Sequence, residues 1–343
     1  MPLSAPQTDP TAIVELFRGN YATELLTAAV SHFDLFRHLG EGPLARGALK
    51  SALHLEERPF VVLTAALLAA GLLQATEGSL SLTPSAQEHL VPGGAFYIGD
   101  YVGLQASSPG VLELVARLRS NKPAGSDQAG AAFIFREGLE SAMEREATAR
   151  HLTLALSGRA KNVASSLAEV APLGNTRRLL DVGGGTGLYA IACLERFPQL
   201  TAVVWDRPEV LKVAAEFRAV AGMEQRLELV AGDMFADPLP AADAILFSNV
   251  LHDWDVPECQ KLITRCASEL PKGGQLLIHD VFLNDALDGP LPVALYSAAL
   301  FSLTEGRAYS AAEYRTWLTA AGLQPSEVRP TLIHCGLLGA VKP

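Results

Sequence analysis

The stretch Leu179-Leu180-Asp181-Val182-Gly183-Gly184-Gly185-Thr186-Gly187 constrains this chain more than any other. A short apolar run meets a glycine cluster and then an apolar segment of helical spacing that begins near Leu188. That order predicts strand, tight turn and helix. Glycines let the backbone turn sharply and let a ligand approach with no Cβ in the way. The helix that follows aims its free N–H groups, and the positive end of its dipole, at whatever lies over the turn. A nucleotide-like cofactor is expected there.

The rest of the C-terminal half supports the same geometry. Thr201 to Trp205, Leu227 to Val230, Ala244 to Phe247 and Gln275 to Ile278 are short apolar runs. Helical segments separate several of them, including one from Pro208 to Val220. Such alternation predicts an α/β fold, a doubly wound and mostly parallel sheet with ligands at the carboxyl ends of its strands. Pro172-Leu173-Gly174-Asn175 reads as the junction with the first half, giving domains 1–172 and 173–343.

The first half is rich in Ala and Leu at helical spacing. Ile13, Leu16 and Phe17, followed by Leu25, Ala28 and Ala29, fit one apolar helix face. Phe60 to Ala70 is a second helix, and the alternation of Leu73–Thr76 and Ser79–Leu82 around Glu77-Gly78 predicts a hairpin. Helix and hairpin together suggest a winged helix. The segment 59–72 carries no Lys or Arg to meet phosphates or base edges, so dimer formation is a better expectation than DNA binding. The chain carries 27 Lys and Arg against 37 Asp and Glu, a net −10, which also argues against a nucleic-acid partner. No apolar run is long enough to span a bilayer. Four cysteines without a CxxC pair read as reduced thiols of a cytoplasmic protein, not as a metal site.

The glycine turn alone fits two cofactors. Gly185-Thr186-Gly187-Leu188-Tyr189-Ala190 satisfies a dinucleotide fingerprint, and Asp206 at the end of the next strand could bind the ribose of NAD. S-adenosylmethionine carries a ribose as well. Its ammonium and sulfonium tolerate the nearby Asp181 well, whereas a pyrophosphate gains little from an acid so close. Gly232-Asp233-Met234-Phe235 follows the third strand, offering a carboxylate for an adenine amino group and apolar side chains for the ring. Asn249-Val250-Leu251-His252-Asp253-Trp254 follows the fourth and sets an imidazole at the sheet's carboxyl edge.

In this order the segments resemble the class I S-adenosylmethionine-dependent methyltransferases. More narrowly, they are similar to the small-molecule O-methyltransferases that include caffeate, hydroxyindole and bacterial tailoring enzymes. The resemblance implies a Rossmann-like methyltransferase domain behind an N-terminal helical, winged-helix dimerisation domain, and a homodimer in secondary metabolism. It makes Gly183 and Gly185 contacts of the methionyl group and Asp206 the ribose ligand. Asp233, Met234 and Phe235 would hold the adenine. Ser248, where plant members carry lysine, offers a hydroxyl or backbone contact. His252 matches the family's general base, which removes the acceptor's proton. Asp280 stands in place of a family carboxylate that steers that base. The second family carboxylate is missing: Gly306-Arg307-Ala308-Tyr309-Ser310 has Ala308 at its position. That departure leaves open a relative that uses the cofactor for pericyclic, hydroxylation or decarboxylation chemistry. Met143 and Phe301 are candidate contacts of a small, aromatic acceptor in a pocket between the halves.

Overall fold

The computed structural model describes residues 5–122 and 146–343. They form two compact units. One contains residues 5–14, 146–282 and 311–343, and the other residues 15–122 and 283–310.

In the larger unit, a long helix α1 (Glu146–Val170) precedes the sheet strand β1 (Arg178–Val182). Then come α2 (Leu188–Arg196), β2 (Thr201–Asp206), α3 (Pro208–Ala221), β3 (Leu227–Ala231) and β4 (Ala244–Ser248). Helix α4 (Val256–Glu269), β5 (Gln275–Leu283) and β6 (Cys335–Val341) complete the frame. The strands lie in the order β6-β5-β4-β1-β2-β3. All neighbours are parallel except β6, which pairs antiparallel with β5. Strands β1, β2 and β4 are buried on both faces nearly throughout, and this explains why they read as continuous apolar runs. The sheet order reverses between β1 and β4, so the turns after β1, β2, β3 and β4 gather at one edge.

Helix α1 belongs to this unit, although the sequence assigned it to the first half. Its buried face, Ala149, Thr153, Ser157, Ala160 and Ala164, recurs every three or four residues. Small side chains there let it pack closely on α2 and α3. The boundary expected at 172/173 therefore does not separate the two units.

The other unit contains the anticipated helix, Glu57–Ala69, and the hairpin of Leu73–Thr76 and Ser79–Leu82. The short strand Leu44–Ala45 completes a three-stranded sheet. Arg58 lies at the start of that helix but is buried. It donates to Asn121 Oδ1 and O, each at 2.8 Å, and to the Thr304 carbonyl at 3.2 Å. It therefore joins two helix ends and is not presented to a phosphate. The continuous helix face read through residues 13–29 is instead broken by a 3₁₀ turn at Gly19–Tyr21. Leu25, Ala28 and Ala29 enter the core, whereas Ile13, Leu16 and Phe17 are largely exposed. Helix Leu291–Leu303 is mostly apolar, keeps one half-exposed stripe at Pro292, Tyr296, Ala299 and Leu303, and supplies Leu295, Ala298 and Phe301 to the core of this unit.

Candidate functional site

The glycine turn is built from three left-handed residues. Gly183, Gly185 and Gly187 have φ of 64°, 59° and 74°, and Gly187 caps α2. The Gly183 N–H donates to the Trp205 carbonyl at 2.8 Å, tying the turn to β2. A Cβ on Gly184 would lie 2.7 Å from the Asp181 carboxyl carbon, so the loop closes directly over that side chain. Asp181 is fully buried, with the Ala190 N–H as its one backbone donor, which opposes the rise in its pKa. Burial and the charge of Asp206 push its carboxyl up to about 8.

Asp206 closes β2. Its Oδ2 accepts from the Gly185 N–H at 2.9 Å and its Oδ1 from the Arg207 N–H at 2.7 Å. Burial raises its pKa, while these two bonds oppose the rise. A carboxylate has about four acceptor positions, so lone pairs remain for a vicinal diol. After β3, Asp233 Oδ1 accepts from the Phe235 N–H at 2.8 Å, and Asp237 Oδ2 accepts from the Asp233 N–H at 2.9 Å. Phe235 meets Trp254 edge to face at 4.7 Å. Gly232 makes room for the Trp205 indole, since a Cβ there would come within 2.2 Å of Nε1. Arg265 of α4 donates to the Met234 carbonyl at 2.8 Å and also to the Asp237 carbonyl, which holds this turn in place.

These turns line one cleft of about 390 Å³. All seven residues expected to bind the cofactor border it: Gly183, Gly185, Asp206, Asp233, Met234, Phe235 and Ser248. Its contents suit S-adenosylmethionine. Two buried carboxyl groups, one beneath the turn and one beside it, favour an ammonium and a sulfonium over a pyrophosphate, because a nearby cation stabilises their charged forms.

His252 follows β4 in a short 3₁₀ turn and is buried. Its Nδ1 lies 2.5 Å from Asp280 Oδ1, the same oxygen that accepts from the Val281 N–H at 2.8 Å. The Tyr314 hydroxyl is 3.5 Å from Asp280 Oδ2. With Nδ1–H donating to Asp280, Nε2 is the basic nitrogen; it lies 3.7 Å from Asp253 Oδ1. Burial works against a charged ring, but Asp280 and Asp253 together outweigh it, so the His252 pKa is raised. Asp253, which borders the cleft, is pushed up to about 6 by burial, with His252 opposing the rise. His252 itself is not among the residues that border the cleft.

One expectation falls elsewhere. Phe301 is fully buried in the core of the other unit with the Arg58 guanidinium 4.7 Å above its ring, so it serves packing and offers no face to an acceptor. Met143 lies outside the described residues. Ala308 is also in the other unit, buried, and its N–H donates to Ser297 Oγ at 3.1 Å. No carboxylate stands at 308.

Sequence reasoning missed Ser157 and Arg159 of α1, which also border the cleft. A signal existed: Thr153 and Ser157 put hydroxyls four residues apart on an otherwise small and apolar stripe. The charge of Arg159 acts on His252 and Asp253.

Residues 123–324 match the O-methyltransferase domain family. The chain is 37% identical over 325 residues, 93% of its length and 90% of the relative's, to 3-hydroxy-5-methyl-1-naphthoate 3-O-methyltransferase of Streptomyces sahachiroi. It superposes with a TM-score of 0.91 on an O-methyltransferase family 2 protein of Planctomyces limnophilus solved with apigenin. That pair shares 48% identity, with 99% of this chain and 98% of the other covered. Human N-acetylserotonin methyltransferase with bound SAM shares the fold at a TM-score of 0.62 and 23% identity, covering 100% of this chain and 99% of its own. The chain belongs to the S-adenosylmethionine-dependent O-methyltransferases.

Proposed function

We propose that this enzyme methylates a hydroxyl of a small planar aromatic metabolite, with His252 as general base. The observation that carries this reading is the buried His252–Asp280 pair at the carboxyl edge of the sheet. The acceptor class is supported by the naphthoate enzyme and by the relative solved with apigenin, both of which act on or bind hydroxylated fused rings.

Bound S-adenosylmethionine supplies an electrophilic methyl group on a positively charged sulfur. The backbone at Gly183 and Gly185 receives its amino-acid end, with Asp181 beneath and Arg159 as a partner for the carboxylate. Asp206 accepts from the ribose hydroxyls, Asp233 accepts from the adenine amino group, and Met234 and Phe235 flank the ring. Ser248 offers a backbone contact, its hydroxyl being engaged by His279 and Asn249. Asp280 fixes the His252 ring through Nδ1, and Nε2 takes the proton of the acceptor hydroxyl. The imidazolium so formed is stabilised by Asp280 and Asp253. Holding acceptor and donor in line supplies much of the acceleration, and the base adds about 10²- to 10⁴-fold.

Ala308 favours a second reading, in which the cleft holds the cofactor for chemistry other than methyl transfer. Incubation with methyl-labelled S-adenosylmethionine and a panel of hydroxynaphthoates, flavones and anthraquinones separates the two. A labelled ether formed in step with S-adenosylhomocysteine is expected. Conversion of an acceptor with no label incorporated would favour the second reading and overturn the first.

The other unit we read as a winged-helix dimerisation platform. The support is its helix and hairpin, together with the exposed apolar side chains of Leu16, Phe17, Tyr101 and Leu104.

A further inference from the structure

His279 precedes Asp280 on β5, so the two side chains leave opposite faces of the sheet. Asp280 serves His252, whereas His279 is fully buried on the other side. Its Nδ1 lies 2.8 Å from Ser248 Oγ and its Nε2 3.1 Å from Thr331 Oγ1. The ring meets Tyr189 edge to face at 5.3 Å. Burial pushes its pKa down to about 3, so the ring is neutral and has one N–H and one bare nitrogen.

The next residue along the chain from Ser248 completes a network. Asn249 is 9% exposed, borders the cofactor cleft and has φ of 55°. Its Nδ2 donates to Ser248 Oγ at 3.2 Å and to the Tyr189 hydroxyl oxygen at 3.3 Å. Its N–H donates to the His279 carbonyl at 2.8 Å. Its Oδ1 is buried with no hydrogen-bond partner among the described residues. Which way the carboxamide faces depends on the imidazole tautomer, and the contacts made by Asn249 Nδ2 match the tautomer with the proton on Nε2. If Nε2–H donates to Thr331, the bare Nδ1 takes the only proton of Ser248. Ser248 can then only accept, Asn249 must turn its NH₂ toward it, and Oδ1 is left as an acceptor for something else.

We propose that His279 is a positioning residue of the cofactor site, orienting Asn249 through Ser248 so that Asn249 Oδ1 accepts from the ammonium of bound S-adenosylmethionine. The amino-acid end is indicated because a Cβ on Gly183 would lie 3.0 Å from Val250, the next residue after Asn249, and Tyr189 lies in the first turn of α2 beside the glycine turn. A buried acceptor left without a donor carries a desolvation cost that a charged donor removes.

The inference rests on the cleft's being the cofactor site, so calorimetry of S-adenosylhomocysteine with the unaltered protein comes first. Absence of binding there would defeat the site reading itself. Given binding, Asn249→Ala should weaken S-adenosylhomocysteine about tenfold or more, the loss expected for a hydrogen bond to a charged group. Adenosine, which lacks the amino acid, should be unaffected. His279→Leu should reproduce that pattern and raise KM for S-adenosylmethionine more than it lowers kcat. The double variant should bind no worse than Asn249→Ala alone. His279→Asn, which keeps an acceptor near Nδ1, should restore much of the affinity. Unchanged affinity in His279→Leu measured well below its Tm, additive losses in the double variant, or an equal loss for adenosine would each overturn the proposal.

Discussion

Two opposed influences meet at His252, since burial disfavours its charged form and two carboxylates favour it, and the carboxylates prevail. A base must be neutral to accept a proton, so activity should rise with pH through this raised pKa. The acid limb of the kcat/KM profile should therefore lie above the ordinary histidine value of about 6.5. Asp280→Asn should move that limb toward lower pH and also lower the plateau, and His252→Ala should cost about 10²- to 10⁴-fold in kcat. Asp181 supplies a second test. Its folded-state pKa is raised to about 8 from an ordinary 3.8. An acid shifted upward leaves its stability contribution intact below the unfolded value and loses it as pH rises through the folded one. The ligand-free protein should therefore lose Tm between about pH 4 and 8, and Asp181→Asn should flatten that part of the curve while weakening S-adenosylhomocysteine. Asp181, Asp206, Asp233 and His252 were legible in the sequence because each ends or follows an apolar strand. Arg159 was not, since nothing local shows where a helix face arrives. The His279–Thr331 contact spans 52 residues and could not be read from spacing.

Among the elements, helix α1 departs most from its sequence reading. Its Ala-rich composition matched the first half, so it was grouped there, yet close packing on α2 decides where it resides. Ala164 is fully buried in that seam. Ala164→Leu should destabilise the enzyme by about 1–3 kcal/mol, the usual cost of forcing methylenes into a packed interface. Thermal unfolding checks this, and weaker cofactor binding should accompany it because Ser157 and Arg159 lie on the same helix. Strands were easier to place. The five parallel strands were evident as apolar runs, and the hairpin followed from alternation about Glu77-Gly78. The antiparallel Cys335–Val341 and the two-residue strands of the same sheet were not evident, because a terminal run with two glycines carries no distinctive period and two residues carry none at all.

At the scale of the molecule, the proposed dimer is tested at the exposed apolar side chains of Leu16 and Phe17. Light scattering should give twice 36.4 kDa for the native enzyme. Leu16→Glu combined with Phe17→Glu should give the monomer mass, and a native monomer would remove the dimer reading. The division into units also bears on how the protein is made. Leu295, Ala298 and Phe301 complete a core whose other members lie between Leu25 and Leu118. A ribosome releases those early helices long before their last partners. The N-terminal unit must therefore wait, its apolar surface uncovered, until every parallel strand of the nucleotide-binding sheet has been synthesised. Domains that mature during translation ordinarily close from the N-terminus first. In this chain the beginning is finished late, and the interval is a natural point for a chaperone to act.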